Sequence, residues 1–221
     1  MDTLQAKTAR VAQLLEHVRG VPERKNPLRP LDNLMLTILS QNTNDRNRDI
    51  AYQRLQHVFS SWAAVMEADV EQIVEAIRPA GLANQKSRRI QGILQWIYDR
   101  YGALNLDFLC EKDPQEIMQT FCQLKGIGVK TMAVVLTFSC GADIFPVDTH
   151  VHRLCRRLGL VPPETPSAKK TFELMQSRVP PGKAFSFHIN LIEHGRQVCK
   201  ARKPLCEQCP LTNVCEYYKQ Q

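Results

Sequence analysis

The chain has 221 residues, a formal net charge of +7, 43% hydrophobic residues and 23% charged residues. This ordinary globular composition excludes a wholly disordered chain, and the lack of any run of about 18 apolar residues excludes a membrane span. No basic segment leads into an apolar core at the N-terminus, so we expect no secretory signal and a cytoplasmic protein. A basic surplus favours a polyanionic partner without proving one.

Helical spacing recurs along the first half of the chain, whereas strand signals are scarce. Apolar residues from Leu4 to Val18 predict a first helix on one face, which ends near Gly20. A polar, proline-bounded linker at 23–30 precedes an apolar helix at 31–40, and the stripe within 90–97 predicts another helix.

The second half continues the helical pattern. Pro114 suits the first turn of a helix, and the nearly all-apolar segment Thr131–Ser139 predicts a core helix. Prolines then punctuate the last third of the chain. The sequence therefore predicts an all-α protein of about ten short helices.

Two glycines stand one residue apart between two predicted helices. The segment at 124–131 reads Leu-Lys-Gly-Ile-Gly-Val-Lys-Thr. Gly126 and Gly128 let the backbone turn sharply, and the amides at the start of the next helix suit a phosphate. A plain helix–helix turn is the simpler alternative.

Lys130 follows this turn and lies in the first turn of an apolar helix, where the positive end of the helix dipole disfavours a cation. We expect partial burial to favour the neutral amine further. A neutral lysine amine is a nucleophile towards sugar carbons. The alternative is a cation that contacts phosphate.

Asp148 stands before a helical pattern and after Pro146, which predicts an N-cap. The same carboxylate could orient a nucleophile or stabilise positive charge on a sugar. His150 and His152 are expected to pack or to form hydrogen bonds rather than to bind metal.

The eight cysteines fall into two sets. Four are scattered, and because stable disulfides are rare in a reducing compartment, we expect small buried hydrophobes: Cys110, Cys122, Cys140 and Cys155. Four are clustered with the spacing of metal ligands: Cys199, Cys206, Cys209 and Cys215. Zinc usually takes two Cys-x2-Cys pairs and this cluster has one, so the spacing favours an iron–sulfur cluster over zinc.

Three cations lie between the first two clustered cysteines: Lys200, Arg202 and Lys203. A loop clamped by a cluster would present them as a rigid phosphate-facing surface. A solvated charge run is the alternative.

In combination these motifs resemble the endonuclease III branch of the helix-hairpin-helix DNA glycosylases. The resemblance runs from about residue 31 onward and is carried by the hairpin at 124–131, Val-Asp-Thr-His at 147–150, Glu-His-Gly-Arg at 193–196, the four-cysteine loop and the Gly-Leu-Ala-Asn-Gln-Lys turn at 81–86.

The resemblance implies a two-lobed all-α fold. One lobe, at 24–142, would be a six-helix barrel with its helix-hairpin-helix at about 114–139, and the other would join 1–23 to 143–221 around a [4Fe-4S] cluster in the loop 199–215. Duplex DNA with damaged bases or abasic sites would lie between the lobes. The protein would be a monomer, nucleoid-associated if prokaryotic.

The resemblance also implies roles for individual residues. Lys130 would be the Schiff-base nucleophile and Asp148 the catalytic carboxylate of a combined glycosylase and abasic-site lyase, whose usual substrates are oxidised or ring-saturated pyrimidines. Leu82 would be the wedge that enters the base stack. The remaining DNA contacts would come from Gln41, Asn42, Lys125, Gly126, Ile127, Gly128, Lys200, Arg202 and Lys203.

The chain departs from the family pattern at three places. Lys125 replaces the usual proline of the hairpin, and Asn42, not Gln41, aligns with the glutamine that fills the gap left by the flipped base. Thr37 stands where the adenine-specific branch has a catalytic glutamate, which argues against adenine removal.

Three other hypotheses remain open. A mismatch-specific thymine or uracil glycosylase could share the scaffold, although that branch commonly has tyrosine in place of Lys130. A non-catalytic DNA-binding iron–sulfur module and a zinc-binding structural protein are the others.

Overall fold

The computed structural model describes residues 3–220, which form helices and no strand. This confirms the all-α prediction. Twelve α-helices occur in this part of the chain: α1 Thr3–Arg19, α2 Pro30–Ser40, α3 Asp45–Val58, α4 Trp62–Glu67, α5 Val70–Ile77, α6 Ala83–Tyr101, α7 Pro114–Phe121, α8 Val129–Val135, α9 Thr149–Leu158, α10 Ala168–Met175, α11 Ala184–Gln197 and α12 Glu216–Lys219. None of the helices within 3–220 is long and apolar enough to cross a membrane.

The chain divides into two compact units. One unit is Leu28–Cys140, and the other combines the segment that ends at Pro27 with the segment that begins at Gly141. We call them the hairpin unit and the cysteine-loop unit. The resemblance implied a first lobe at 24–142 and a second lobe that joins 1–23 to 143–221.

The hairpin unit is built around α2. Leu34, Met35, Ile38 and Leu39 of this helix are completely buried, and α2 packs against α3 and α8. The predicted apolar helix at 31–40 is therefore confirmed. Since α8 rests on the most buried helix of the unit, its first turn has a fixed position.

The helices on either side of the hairpin begin and end for different reasons. Asp113 caps α7 by accepting a hydrogen bond from the Gln115 amide at 2.7 Å, and Pro114 takes the first turn as predicted. The predicted core helix over 131–139 keeps its α form only to Val135 and widens into a π-helical turn, Leu136–Cys140. At this turn, Asn33 Nδ2 donates to Ser139 Oγ at 2.9 Å.

A disulfide joins Cys110 to Cys140, so the expectation that both are isolated buried thiols is wrong. The two cysteines are 30 residues apart, and only the fold brings the 3₁₀ turn that carries Cys110 beside the end of the π-helical turn. The same 3₁₀ turn holds Asp107, which pairs with Arg29. Of the other scattered cysteines, Cys155 is fully buried as expected and Cys122 only partly.

We expect Cys140→Ser to lower the free energy of unfolding by about 3 kcal/mol, because the disulfide closes a 30-residue loop in the unfolded chain. Urea unfolding under non-reducing conditions measures the change. Cys122→Ser, at a cysteine outside the disulfide, is the control. Excess reductant should destabilise the wild type but not Cys140→Ser. An equal change in both proteins would show that the disulfide contributes nothing to stability.

The cysteine-loop unit has its core between α1, α9 and α11. Val11 and Leu15 of α1 are completely buried, as the stripe predicted. Val18 is 57% exposed, so its assignment to the same face is wrong. It lies in the last turn of α1, one residue before the helix ends at Arg19.

Candidate active site

The glycine pair forms a tight hairpin between α7 and α8. Gly126 has a φ of +95°, a region open mainly to glycine, and the Ile127 amide donates to the Leu124 carbonyl at 3.0 Å. Gly128 is the N-cap of α8 and is exposed. Ile127 as a whole is only 3% exposed, so its side chain belongs to the core and the accessible part of the turn is its two glycines.

Gly126 is required for a second reason. The Arg89 side chain of α6 occupies the space that a Cβ atom at Gly126 would need. A larger residue here would displace Arg89 as well as strain the backbone.

Gln41 connects Arg89 to the hairpin. Its Nε2 donates to the Gly126 carbonyl at 3.1 Å, and its Oε1 accepts from Arg89 Nη1 at 2.7 Å. Asn42 is exposed and has a φ of +55°, a conformation in which asparagine is tolerated. Gln41 therefore faces the protein, while Asn42 faces solvent.

The turn before α6 presents an apolar side chain to solvent. Leu82 is 52% exposed and has a φ of +50°, which is unusual for a leucine. Unfavourable backbone conformations of this kind persist where surrounding contacts hold them, and they concentrate at functional sites.

Lys86 holds this turn from inside. Its side chain is 1% exposed, and Nζ donates to the Leu39 and Ala80 carbonyls, both at 2.8 Å. Burial, with the nearby Arg89 charge, lowers the pKa of Lys86 to about 8. The residue thus ties the end of α2 to the turn that carries Leu82.

Sequence reasoning assigned no role to Lys86 or Arg89. For Lys86 a signal was present, because it lies at helical spacing from the buried residues Ile90, Ile93 and Ile97. A cation on the buried face of a helix indicates an internal hydrogen-bonding role. No comparable pattern identifies Arg89.

Lys130 lies in the first turn of α8, immediately after the Gly128 cap and Val129. Its side chain is exposed, so the expected partial burial is wrong. The lysine is thus accessible to a large ligand. Any exclusion of water from its amine has to come from that ligand rather than from the hairpin unit.

Asp148 belongs to the cysteine-loop unit and is the N-cap of α9, as predicted. Its Oδ1 accepts from the Val151 amide at 2.8 Å, and the residue is half-buried. Just before it, Pro146 and Val147 are buried, and the His188 ring bonds to the Pro146 carbonyl at 2.8 Å. The cap leaves the second carboxylate oxygen for other chemistry.

The two histidines after Asp148 form hydrogen bonds, as expected. His150 Nδ1 lies 3.2 Å from Arg153 Nη2, and His152 Nδ1 lies 2.7 Å from Thr171 Oγ1.

The four clustered cysteines share one electrostatic environment. Burial raises the pKa of Cys209 to about 11, and the charges of the other three thiols act in the same direction. Within residues 3–220, no three Cys, His, Asp or Glu side chains converge on one point as around a single metal ion. A four-iron cluster holds its cysteine sulfurs farther apart than one ion does, because iron and sulfide lie between them.

Two nitrogen groups face the cysteine sulfurs. Arg157 Nη1 donates to Cys199 Sγ at 3.3 Å, and His194 Nε2 lies 3.4 Å from Cys209 Sγ. Burial lowers the pKa of His194 to about 4, so its ring is neutral near pH 7. A neutral ring can donate from Nε2 to a thiolate, which fits cysteines that bind iron.

Arg157 also fixes the basic loop. Its guanidinium donates to the Lys200 and Ala201 carbonyls, both at 2.8 Å, and lies 4.8 Å from the Tyr217 ring centre. The side chains of Lys200, Arg202 and Lys203 are exposed. Sequence reasoning did not single out Arg157, because all of its partners, the two loop carbonyls, Cys199 Sγ and the Tyr217 ring, are distant in sequence.

We expect Arg157→Ala to make the iron–sulfur cluster more labile in air by several-fold, because the loop loses three hydrogen bonds and a ring contact. Decay of the broad absorbance near roughly 400 nm measures the loss. Arg156→Ala is a matched control, since Arg156 donates to Pro163 instead. Equal decay of both variants would contradict the role of Arg157.

Comparison with known proteins agrees with this geometry. Residues 35–181 match the HhH-GPD superfamily base excision DNA repair protein family, and residues 199–215 match the iron-sulfur binding domain of endonuclease III. Endonuclease III of Sulfolobus acidocaldarius is 36% identical over 84% of this chain and 81% of its own length. Endonuclease III of Thermotoga maritima is 33% identical over 92% of this chain and 91% of its own length.

A solved structure shows the same fold. A trapped endonuclease III–DNA covalent intermediate superposes with a TM-score of 0.82 at 25% identity, covering 100% of this chain and 99% of that one.

The fold and the two family matches define a DNA glycosylase and abasic-site lyase of base-excision repair that binds DNA. The chain belongs to the endonuclease III family. Its cofactor is the [4Fe-4S] cluster of that family, in the loop 199–215. The predicted family, fold class, enzyme class and cofactor are thus confirmed.

Proposed function

We propose that this enzyme excises oxidised or ring-saturated pyrimidines and then nicks the strand through a Schiff base on Lys130. The observation that carries the proposal is the placement of Lys130, exposed in the first turn of a helix that packs on the most buried helix of its unit. The exposed amine can therefore reach a bound sugar while the helix that carries it keeps a fixed position, as attack on that sugar requires.

In the proposed reaction, the neutral Lys130 amine attacks C1′ of the damaged nucleotide. The C–N bond forms as the bond to the base breaks, and the base leaves with the electron pair and takes up a proton. Opening of the sugar gives an imine, which makes the C2′ proton acidic. Loss of that proton and β-elimination of the 3′ phosphate break the strand.

Asp148 is proposed to stabilise the positive charge that develops on the sugar as the base leaves. Its Oδ1 is held by the Val151 amide, so the carboxylate has a fixed orientation and can act through Oδ2. This role and the capping role use different oxygens and are compatible.

Base extrusion is proposed to use the two strained loops of the hairpin unit. Leu82 would enter the stack as the wedge, which lowers the cost of extrusion. Asn42 would fill the space left by the flipped base. Gln41 is proposed to support the hairpin instead, because both ends of its amide are already bonded to Gly126 and Arg89.

We expect Asn42→Gly to lower excision about tenfold with little change in stability, because glycine adopts the positive φ at this position while the side chain that would contact DNA is lost. Single-turnover base release opposite each of the four normal bases measures the effect.

Gln41→Ala is expected to affect stability more than excision. It should lower the free energy of unfolding by about 1 kcal/mol or more, since it leaves the Gly126 carbonyl and Arg89 without a partner. If the variant at Gln41 lowers excision with little change in stability while the variant at Asn42 leaves excision unchanged, Gln41 is the residue that fills the gap.

The cluster is proposed to act at a distance from bond cleavage. When bound by Cys199, Cys206, Cys209 and Cys215, it supplies a rigid support or a charge-transfer centre rather than a reacting group. The chain's own contribution is Arg157, which holds the loop so that Lys200, Arg202 and Lys203 can meet phosphates.

A panel of duplexes, each with one lesion or mismatch, tests the proposed substrate class. Base release and strand cleavage are scored separately, with borohydride present in a parallel set. We expect release, cleavage and a covalent adduct with thymine glycol and similar pyrimidines. Release of mismatched thymine or uracil without an adduct would replace the proposal by the mismatch glycosylase.

We further propose that the enzyme acts as a monomer on chromosomal DNA in the cytoplasm. Light scattering of the enzyme alone and with a lesion duplex tests this, and a stoichiometry of two chains per duplex would contradict it.

A further inference from the structure

A groove of about 600 Å³ lies between α6 and the hairpin, within the hairpin unit. Its α6 side includes Asn84, Gln85, Arg88 and Arg89, and its hairpin side includes Lys125. No carboxylate is among the lining residues. Gly92, Ile93 and Leu124 complete the lining, so the groove combines a largely apolar surface with three cations and two amide side chains.

The three cations are held in different ways. Arg89 is fixed by its bond to Gln41 Oε1 at 2.7 Å. Arg88 and Lys125 are exposed, and no ion pair among the described residues involves either of them. Three unneutralised cations that line one groove repel one another, and a bound anion would relieve that repulsion.

We propose that this groove binds a backbone phosphate of the duplex, in addition to any phosphate bound at the hairpin amides. The proposal rests on the DNA-binding role proposed above for the Leu82 turn and the hairpin. Arg88 offers a guanidinium fork for two phosphate oxygens, and Lys125 offers a point charge. Asn84 and Gln85 add amide donors.

The position of the groove favours duplex DNA as the source of the phosphate. Asn84 is two residues from the proposed wedge Leu82, and Lys125 is adjacent to Gly126 of the hairpin. A strand that contacts both of these loops would pass the mouth of the groove. Lys125 is exposed and adds a positive charge directly beside the hairpin.

The salt dependence of DNA binding tests the groove. Each phosphate contact contributes about 0.9 to the slope of log affinity against log salt concentration. We expect Arg88→Gln and Lys125→Gln each to reduce the magnitude of the slope by roughly that amount and to weaken binding several-fold at physiological salt. The loss should be the same for damaged and undamaged duplexes, because phosphate contacts do not depend on the bases.

Arg54→Gln is the matched control, an exposed arginine on α3 outside the groove. Thermal melts confirm that each variant is folded. Unchanged slopes in Arg88→Gln and Lys125→Gln, or an equal loss in Arg54→Gln, would overturn the proposal. If either of these results is found and the wild type still forms its borohydride adduct, only the phosphate site in the groove is rejected. A wild type that forms no adduct rejects the proposed function itself.

Discussion

Lys130→Ala is expected to abolish the borohydride-trapped adduct and to reduce strand nicking at a pyrimidine lesion by on the order of 10³-fold or more. The reason is that the amine in the first turn of α8 is the proposed attacking group, and water cannot form the imine that leads to β-elimination. Denaturing gels of single-turnover reactions, with and without borohydride, measure the adduct and the nick separately. Wild-type nicking in the variant would contradict the proposal.

Lys130→Arg separates the nucleophile from a simple phosphate-binding cation. Arginine keeps the positive charge but does not lose its proton in proteins, so it cannot form a Schiff base. We expect this variant to bind a lesion duplex nearly as well as the wild type while it forms no adduct. If Lys130 served only to contact phosphate, Lys130→Arg would keep nicking. Lys112→Ala, an exposed lysine before α7, controls for the loss of one charge.

The sequence was most informative where the relevant interactions are local. The hairpin at 124–131, the cap at Asp148 and the start of α7 at Pro114 all depend on residues a few positions apart. Backbone geometry of this kind is set by short patterns, so it can be predicted from one sequence. The four-cysteine loop is equally local, and its spacing favours an iron–sulfur cluster over zinc.

The interactions that sequence reasoning missed join residues far apart in the chain. Gln41 and Gly126 are 85 residues apart, and Lys86 and Leu39 are 47 apart. The disulfide between Cys110 and Cys140 similarly required the fold to bring two turns together. No periodicity encodes such contacts, and each involves a polar or sulfur group whose role is decided by its partner.

Lys86 and Gln41 together explain how three loops of the hairpin unit keep their positions. Lys86 ties the end of α2 to the Leu82 turn, and Gln41 ties α6 to the hairpin through Arg89. The strained conformations at Asn42 and Leu82 lie beside these internal bonds. The unit thus holds its exposed loops with buried and half-buried polar contacts, which orient the loops before any DNA is bound.

Asp148→Asn is expected to lower base excision by on the order of 10²- to 10³-fold while the protein remains folded. Asparagine is as good an N-cap as aspartate, so the hydrogen bond from the Val151 amide can persist when the negative charge is lost. Single-turnover base release measures the chemical step, and urea unfolding measures stability. Excision at the wild-type rate in this variant would show that the carboxylate is only a cap.

Asp148→Ala completes the comparison because it removes the cap as well as the charge. We expect it to lower the free energy of unfolding by about 1 kcal/mol more than Asp148→Asn does, with a similar loss of excision. Asp113→Asn, at the aspartate that caps α7 by bonding to the Gln115 amide, is the matched control for a capping carboxylate. It should leave excision unchanged. If excision falls in proportion to stability across all three variants, the effect is one of folding. If excision falls only in the two variants at position 148, and independently of stability, the Asp148 carboxylate stabilises the positive charge on the sugar.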